Sequence, residues 1–213
     1  MYPVTYEADY QAEQNRATTF FRIILAIPWF IVAIVYYIAV AITHFIAWVA
    51  IIILGRYPEG LYNFNSGMVR FFVRTSAWVY LQTDEWPPFG IADDPNYPIR
   101  VNFAPRAEHQ SRLKAFFRII LAIPLLIVSY AVSYAHLWIA VIAWLTIVFR
   151  GYLPEQLNTA MTFCNSFYAR LYGYIVFVTD DYPPIGEEKA KGVGNLGGGP
   201  AAPPQAPPAA PTV

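Results

Sequence analysis

The chain has 213 residues, of which 57% are hydrophobic and 13% charged, and its fourteen basic side chains are balanced by fourteen acidic ones. A soluble domain carries roughly a quarter charged residues, so an ordinary water-soluble globule is a poor fit, and without a basic surplus nucleic acid is not expected as a partner. The single cysteine, Cys164, excludes an intrachain disulfide and a cysteine-built metal site.

The first fourteen residues are polar and acidic and lack the basic-then-apolar order of a cleavable leader. Within them Val4, Tyr6, Ala8 and Tyr10 alternate with Thr5, Glu7 and Asp9. Far along the chain, Ile99, Val101 and Phe103 alternate with Arg100 and Asn102. A period of two is that of a strand, so the two stretches are predicted to pair as a ribbon with Glu7 or Asp9 near Arg100.

From Gln14 to Gly90 the chain repeats itself as Gln110 to Gly186, at a constant offset of 96 positions and without a gap. Phe20-Phe21-Arg22-Ile23-Ile24-Leu25-Ala26-Ile27-Pro28 returns unchanged as Phe116 to Pro124. Such repetition sets the architecture before any other reading. The predicted units are a first repeat, 1–92, a second, 93–186, and a Gly/Pro/Ala-rich disordered tail, 187–213.

No Asp, Glu, Lys or Arg occurs between Arg22 and Arg56, or between Arg118 and Arg150. Read as one helix, each run is about 50 Å long, against a hydrocarbon core of about 30 Å. A tight transmembrane hairpin fits better, with tips near 36–44 and 130–138. It keeps every charge on one side, and flanking arginines place that side, with both termini, in the cytoplasm. The rival is one span plus an interfacial stretch per copy. Pro28 and Pro124 are expected to kink the first limb.

Gly55-Arg56-Tyr57-Pro58-Glu59, matched by Gly151-Tyr152-Leu153-Pro154-Glu155, reads as a helix end followed by a helix start. The next helix is amphipathic, with Leu61, Phe64, Met68, Phe72 and Val79 opposite Asn63, Ser66, Arg70 and Arg74. Its counterpart sets Leu157, Met161, Cys164, Tyr168 and Ile175 against Thr159, Thr162, Ser166 and Arg170. Both are predicted to lie in the membrane interface. Each copy closes on Thr83-Asp84-Glu85-Trp86-Pro87-Pro88 or Thr179-Asp180-Asp181-Tyr182-Pro183-Pro184, where paired prolines forbid further helix.

The combination of Phe20-Phe21-Arg22, Gly55-Arg56-Tyr57-Pro58-Glu59-Gly60-Leu61-Tyr62-Asn63-Phe64, Arg70 and Thr83-Asp84-Glu85-Trp86-Pro87-Pro88-Phe89 resembles a family of bacterial membrane proteins, domain of unknown function 4389. The likeness covers roughly 2–186. The second copy departs from it where Tyr152-Leu153 replace Arg56-Tyr57 and Asn158-Thr159 replace Tyr62-Asn63. The resemblance implies a membrane fold and location and no particular activity.

The chemistry is sparse. Asp84-Glu85 and Asp180-Asp181 are adjacent carboxylates on turns, which read as solvated helix stops rather than an acid–base pair or a metal site. His44, His109 and His136 fall at non-equivalent positions, the first and last near the hairpin tips. No nucleophile motif or phosphate loop occurs. The sequence therefore predicts no catalytic residue, no metal and no cofactor. Charges kept in both copies, Arg22/Arg118, Glu59/Glu155, Arg74/Arg170 and Asp84/Asp180, read as architectural. Arg22, Arg118, Arg70, Arg74 and Arg170 are the candidates for binding anionic lipid headgroups.

The resulting expectation is a mainly α membrane protein of two tandem repeats. Each is a short transmembrane hairpin plus an amphipathic interfacial helix, with a small β-ribbon. The expected role is a non-enzymatic scaffold or accessory subunit in the bacterial cytoplasmic membrane, with lipids and a membrane protein or a second copy as partners. The alternative is binding or moving anionic lipid.

Overall fold

The computed structural model describes residues 2–186, and the predicted disordered tail lies outside them. In chain order the elements are β1 (Val4–Ala8), α1 (Arg16–Phe20), α2 (Arg22–Leu25), α3 (Ile27–Leu54), α4 (Glu59–Val79), β2 (Ile99–Phe103), α5 (Arg112–Phe116), α6 (Arg118–Arg150) and α7 (Glu155–Ile175).

The predicted hairpin within each apolar run is not there. α3 is one helix of 28 residues and α6 one of 33, about 42 and 50 Å long at 1.5 Å per residue. The supposed tips, 36–44 and 130–138, hold no Gly, Pro, Asn or Asp, and Ser133 in them is only a weak turn former. The chain turns back later, where Gly55 (φ 70°) and Gly151 (φ 79°) take the left-handed conformation that ends a helix. Pro58 and Pro154 then precede α4 and α7. The hairpin partner of α3 is therefore α4, and that of α6 is α7.

The prolines also behave differently from one another. Pro28 sits in the first turn of α3, just after a break at Ala26, whereas Pro124 is carried inside the continuous α6.

Two helical layers and the ribbon stack on one another. α4 and α7 pack on each other in the middle and are buried around most of their circumference. The ribbon covers one face of that pair, β1 lying on α7 and β2 on α4. α3 and α6 cover the other face. Trp29 and Tyr36 of α3 pack on Trp78 and Phe71 of α4, at ring separations of 5.2 and 4.8 Å. Leu125 and Val132 of α6 share a cluster with Phe167 and Leu171 of α7.

This buried middle layer corrects the expectation of interfacial helices. Met68 is 3% exposed and Arg74, on the supposed polar face, 0%. The helical period was right, but both faces meet protein.

Polarity and burial are inverted. The central helices carry the Asn, Ser, Thr and Arg, while the apolar α3 and α6 are outermost. Only 11% of the most apolar stretch of α3 is buried, and 22% of that of α6. Ile23, Ile34, Ile127 and Phe149 are each more than 60% exposed. A soluble core helix would show the reverse.

The two copies interlock. The Gln14 amide donates to the Gly151 carbonyl at 3.2 Å, and the Gln110 amide to that of Gly55 at 3.0 Å. The Arg16 guanidinium lies over Gly151 and that of Arg112 over Gly55. Phe20 stacks on Trp144, and Trp48 Nε1 donates to the Ala115 carbonyl. Each long helix thus begins beside the end of the other, so α3 and α6 run antiparallel.

The predicted ribbon is present. β1 and β2 pair antiparallel with Glu7 opposite Arg100, and Arg100 holds Asp9 through bonds of 2.7 and 2.8 Å. That guanidinium keeps the Asp9 carboxyl below its usual range. Because the folded value is the lower one, the Asp9 contribution is present above its unfolded value and fades as pH falls through the folded one. In Arg100→Gln, an NMR titration of Asp9 should move up toward an ordinary aspartate.

Two further tests follow from packing. A Cβ on Gly173 would stand 2.9 Å from Val4 Cγ2, so Gly173→Ala should push the ribbon off α7 and cost about 1–3 kcal/mol in thermal unfolding. Burial raises the Cys164 thiol to about 11, and its side chain is buried. Cys164 should therefore resist maleimide at pH 8 until the protein unfolds.

Candidate functional site

Two equivalent clasps close the repeats. Asn15 caps α1 by accepting from the amides of Ala17 and Thr18, and Asp84 binds this same turn, accepting from the Asn15 amide at 3.1 Å and the Thr18 hydroxyl at 2.8 Å. Arg22, only 3% exposed, donates to Asp84 at 2.8 Å and lies over the Trp78 ring at 4.6 Å. In the second copy Ser111 caps α5 and its amide donates to Asp180. Arg118 pairs with Asp180, donates to the carbonyls of Tyr174 and Thr179, and covers Tyr174 at 4.4 Å.

The turns that carry these aspartates are themselves held. Leu81 (φ 67°) and Phe177 (φ 65°) adopt the left-handed conformation without being glycine, and Gln14 and Gln110 donate to their carbonyls at 2.9 and 2.8 Å. The matched glutamines were visible as repeated letters, but their role is a long-range contact that periodicity does not reveal.

All five arginines expected at headgroups are engaged inside the chain. Arg22 and Arg118 sit in the clasps. Arg74 fastens the linker to α4, donating to the carbonyls of Ile99, Ala92 and Asp94 and pairing with Asp93 at 3.3 Å. Arg170 is 8% exposed, and its charge reaches the Tyr2 hydroxyl. Arg70 donates to the Val101 carbonyl at 3.0 Å and lies 3.6 Å from Asp93 while lining one cavity, and Arg118 lines another.

The other candidates separate. Glu85 accepts from Gln11 at 3.1 Å, and Tyr97 donates to its carbonyl. His44 and His136 are not at tips but at mid-helix, stacked on Phe177 and Tyr80 at 4.8 and 3.9 Å. Among the described residues no three His, Cys, Asp or Glu gather as a metal site would require. Trp86 stacks on Trp29 and packs at a tilt against Trp78. Trp29 Nε1 donates to the Pro87 carbonyl at 2.9 Å, so the double-proline turn is pinned to α3.

A buried polar network, unrecognised in the sequence, joins the layers. Thr43 donates to Asn65, Asn65 to the Tyr57 hydroxyl, and Tyr57 to the Val176 carbonyl. Asn165 and Tyr6 both donate to Gln82. Its members are not repeat equivalents, so the repeat gave no signal for them.

Two hollows remain. One, about 640 Å³, lies between the first half of α4 and the linker, lined by Glu59, Tyr62, Asn63, Arg70, Phe103 and Arg106 among others. The other, about 630 Å³, is an apolar groove between α3 and α6 with Tyr37, His44, Trp48, Arg118, Leu126 and Phe177 on its walls.

These features define a two-copy, interlocked, mainly helical protein with a small two-stranded sheet and, among the described residues, two helices long and apolar enough to cross a membrane. The chain belongs to the family described as domain of unknown function DUF4389, whose model matches 16–90 and again 112–186. No curated protein and no solved structure matches it.

Proposed function

We propose that the protein is a non-enzymatic scaffold or accessory subunit of a bacterial cytoplasmic membrane, seated through the α3–α6 layer. One observation carries the reading: the least polar helices are the least buried, which only an apolar surrounding makes favourable. The seat is in the plane of one leaflet. The ribbon runs alongside α4 between Arg70 and Ala77, where Arg70 and Arg74 bond to the carbonyls of Val101 and Ile99. Its charged Glu7 and Asp9 remain exposed there, and Arg100 is half-buried between them. End-on insertion would sink those charges into hydrocarbon, at a cost of several kcal/mol each. A single helical layer about 10 Å thick fits within one leaflet. In this arrangement the termini, linker and ribbon share one side, the cytoplasm.

The polar face is left for a partner protein. Photocrosslinkers at Glu7 and Asn102 should give a discrete adduct in intact cells. Smears no different from those of a lipid-facing control position would end the scaffold reading.

A second reading, handling of anionic lipid, is favoured by the apolar groove that opens between the two outer helices. Liposomes with fluorescent lipid and mass spectrometry of purified protein test it. Unaccelerated flip-flop together with no retained lipid would dismiss it.

A further inference from the structure

A chain that carries its own duplicate supplies an internal comparison. Polar residues kept in both copies, such as Gln14/Gln110, Arg22/Arg118 and Asp84/Asp180, build the clasps. Polar residues present in one copy only are not needed for a clasp. Three of these fall together: Tyr62, Asn63 and Arg70, whose counterparts are Asn158, Thr159 and Ser166. With Arg106 from the linker, all three line the 640 Å³ hollow on the side of α4 away from the apolar layer.

The cations there are only partly spent on carboxylates: Arg70 shares Asp93 with Arg74. Arg70 uses Nε on the Val101 carbonyl at 3.0 Å. Its Asp93 neighbour, at 3.6 Å, is half exposed and lies nearer to Arg74, at 3.3 Å. Among the described residues neither Arg70 Nη1 nor Nη2 donates a hydrogen bond. Arg106 gives only Nη1, to the Tyr57 carbonyl at 3.0 Å, and has no carboxylate partner there. Phe103 backs Arg70 at 4.9 Å and holds the guanidinium plane in place. A volume of this size is ordinary for small-molecule sites.

We propose that this hollow, peculiar to the first copy, binds a phosphate group. Two guanidiniums with open donor edges can share the radiating oxygens of a tetrahedral dianion. Glu59 also lines the hollow, so Arg70 and Arg106 leave a net formal charge of one, which suits a single phosphate better than a polyanion. The proposal does not depend on the membrane seat. Two sources share this chemistry, a soluble phosphate monoester and a lipid headgroup, and the test separates them.

Full-length protein in neutral detergent would be titrated calorimetrically with inorganic phosphate and with glycerol 3-phosphate. Saturable binding is expected, weakened about tenfold or more in Arg70→Gln and in Arg106→Gln, and unchanged in Arg100→Gln on the ribbon. Arg106 makes a single bond, so its variant keeps the fold if Arg70→Gln does not, as thermal unfolding will show. Nanodiscs of phosphatidylcholine with phosphatidylglycerol form the second arm. Retention of the anionic lipid by wild type and its loss in the same variants, without binding of the soluble anions, identifies a headgroup. Binding in neither arm, or binding that both variants leave unchanged, overturns the proposal.

Discussion

Replacing Asp180 by Asn should cost about 3 kcal/mol or more of stability, and Asp84→Asn a similar amount, because each leaves a guanidinium buried without its countercharge. Arg118 and Arg22 are both 3% exposed, with aromatic rings above them and carbonyls around them. Neither can reach water without opening the turn. The cost comes from the stranded charge more than from the lost bond, so removing both charges should restore much of it. Arg118→Met with Asp180→Asn is therefore expected to be more stable than Asp180→Asn alone, and a double-mutant cycle by urea unfolding in detergent measures the difference. Single substitutions that change stability by less than 0.5 kcal/mol, a value expected of exposed pairs, would show that the clasps are ornamental.

The second large effect concerns the outer layer. Ile34 on α3 and Ile127 on α6 are 63% and 67% exposed. A lysine at either place should leave the fold intact in detergent, with an unchanged far-UV spectrum. The same lysine would meet hydrocarbon in the cell, at a cost of roughly 2.5–3.5 kcal/mol at depth. The pair Ile34→Lys/Ile127→Lys is expected to shift the protein from membranes into alkaline carbonate extracts, while Arg100→Gln stays with the membranes. Retention of the double variant equal to wild type would place those faces against protein instead.

How much of this was legible depended on the range of the interaction. The duplication, the ribbon with its Arg100 partners and the Gly55/Gly151 helix ends follow from local pattern and local chemistry. The apolar runs are plain in the sequence, and their course is not. A length argument against the bilayer suggested a turn inside each run, although Tyr36 to His44 contains no residue that favours one. Geometry satisfied the length differently, by laying the helix alongside α4. Periodicity likewise marked α4 as two-faced without saying what met each face. Met68 looked lipid-facing and Arg74 headgroup-facing, and both are buried because the second copy supplies α7 and the linker supplies carbonyls. Interlocking between the copies has no signature in a single copy.

The candidate hollow was half visible. Arg70 was singled out, and the departures at Tyr62-Asn63 were noted as a difference between copies. What sequence could not give is that these letters, Arg106 and Phe103 share one wall, since Arg106 belongs to a linker with no periodicity to place it.

The in-plane seat is tested most directly by spin-label depth in liposomes. Labels would be placed singly along the outward faces, at Ile31, Ile38 and Leu54 of α3 and Ile120, Ile127 and Tyr134 of α6, with Glu7 and Asn102 as ribbon sites. Collisions with oxygen and with a water-soluble nickel chelate report depth. All six helix labels should read as lipid at similar, shallow depth within one leaflet, and both ribbon labels as water. Depth that passes through the bilayer midplane from one end of α3 to the other, or helix labels that read as water, would contradict it.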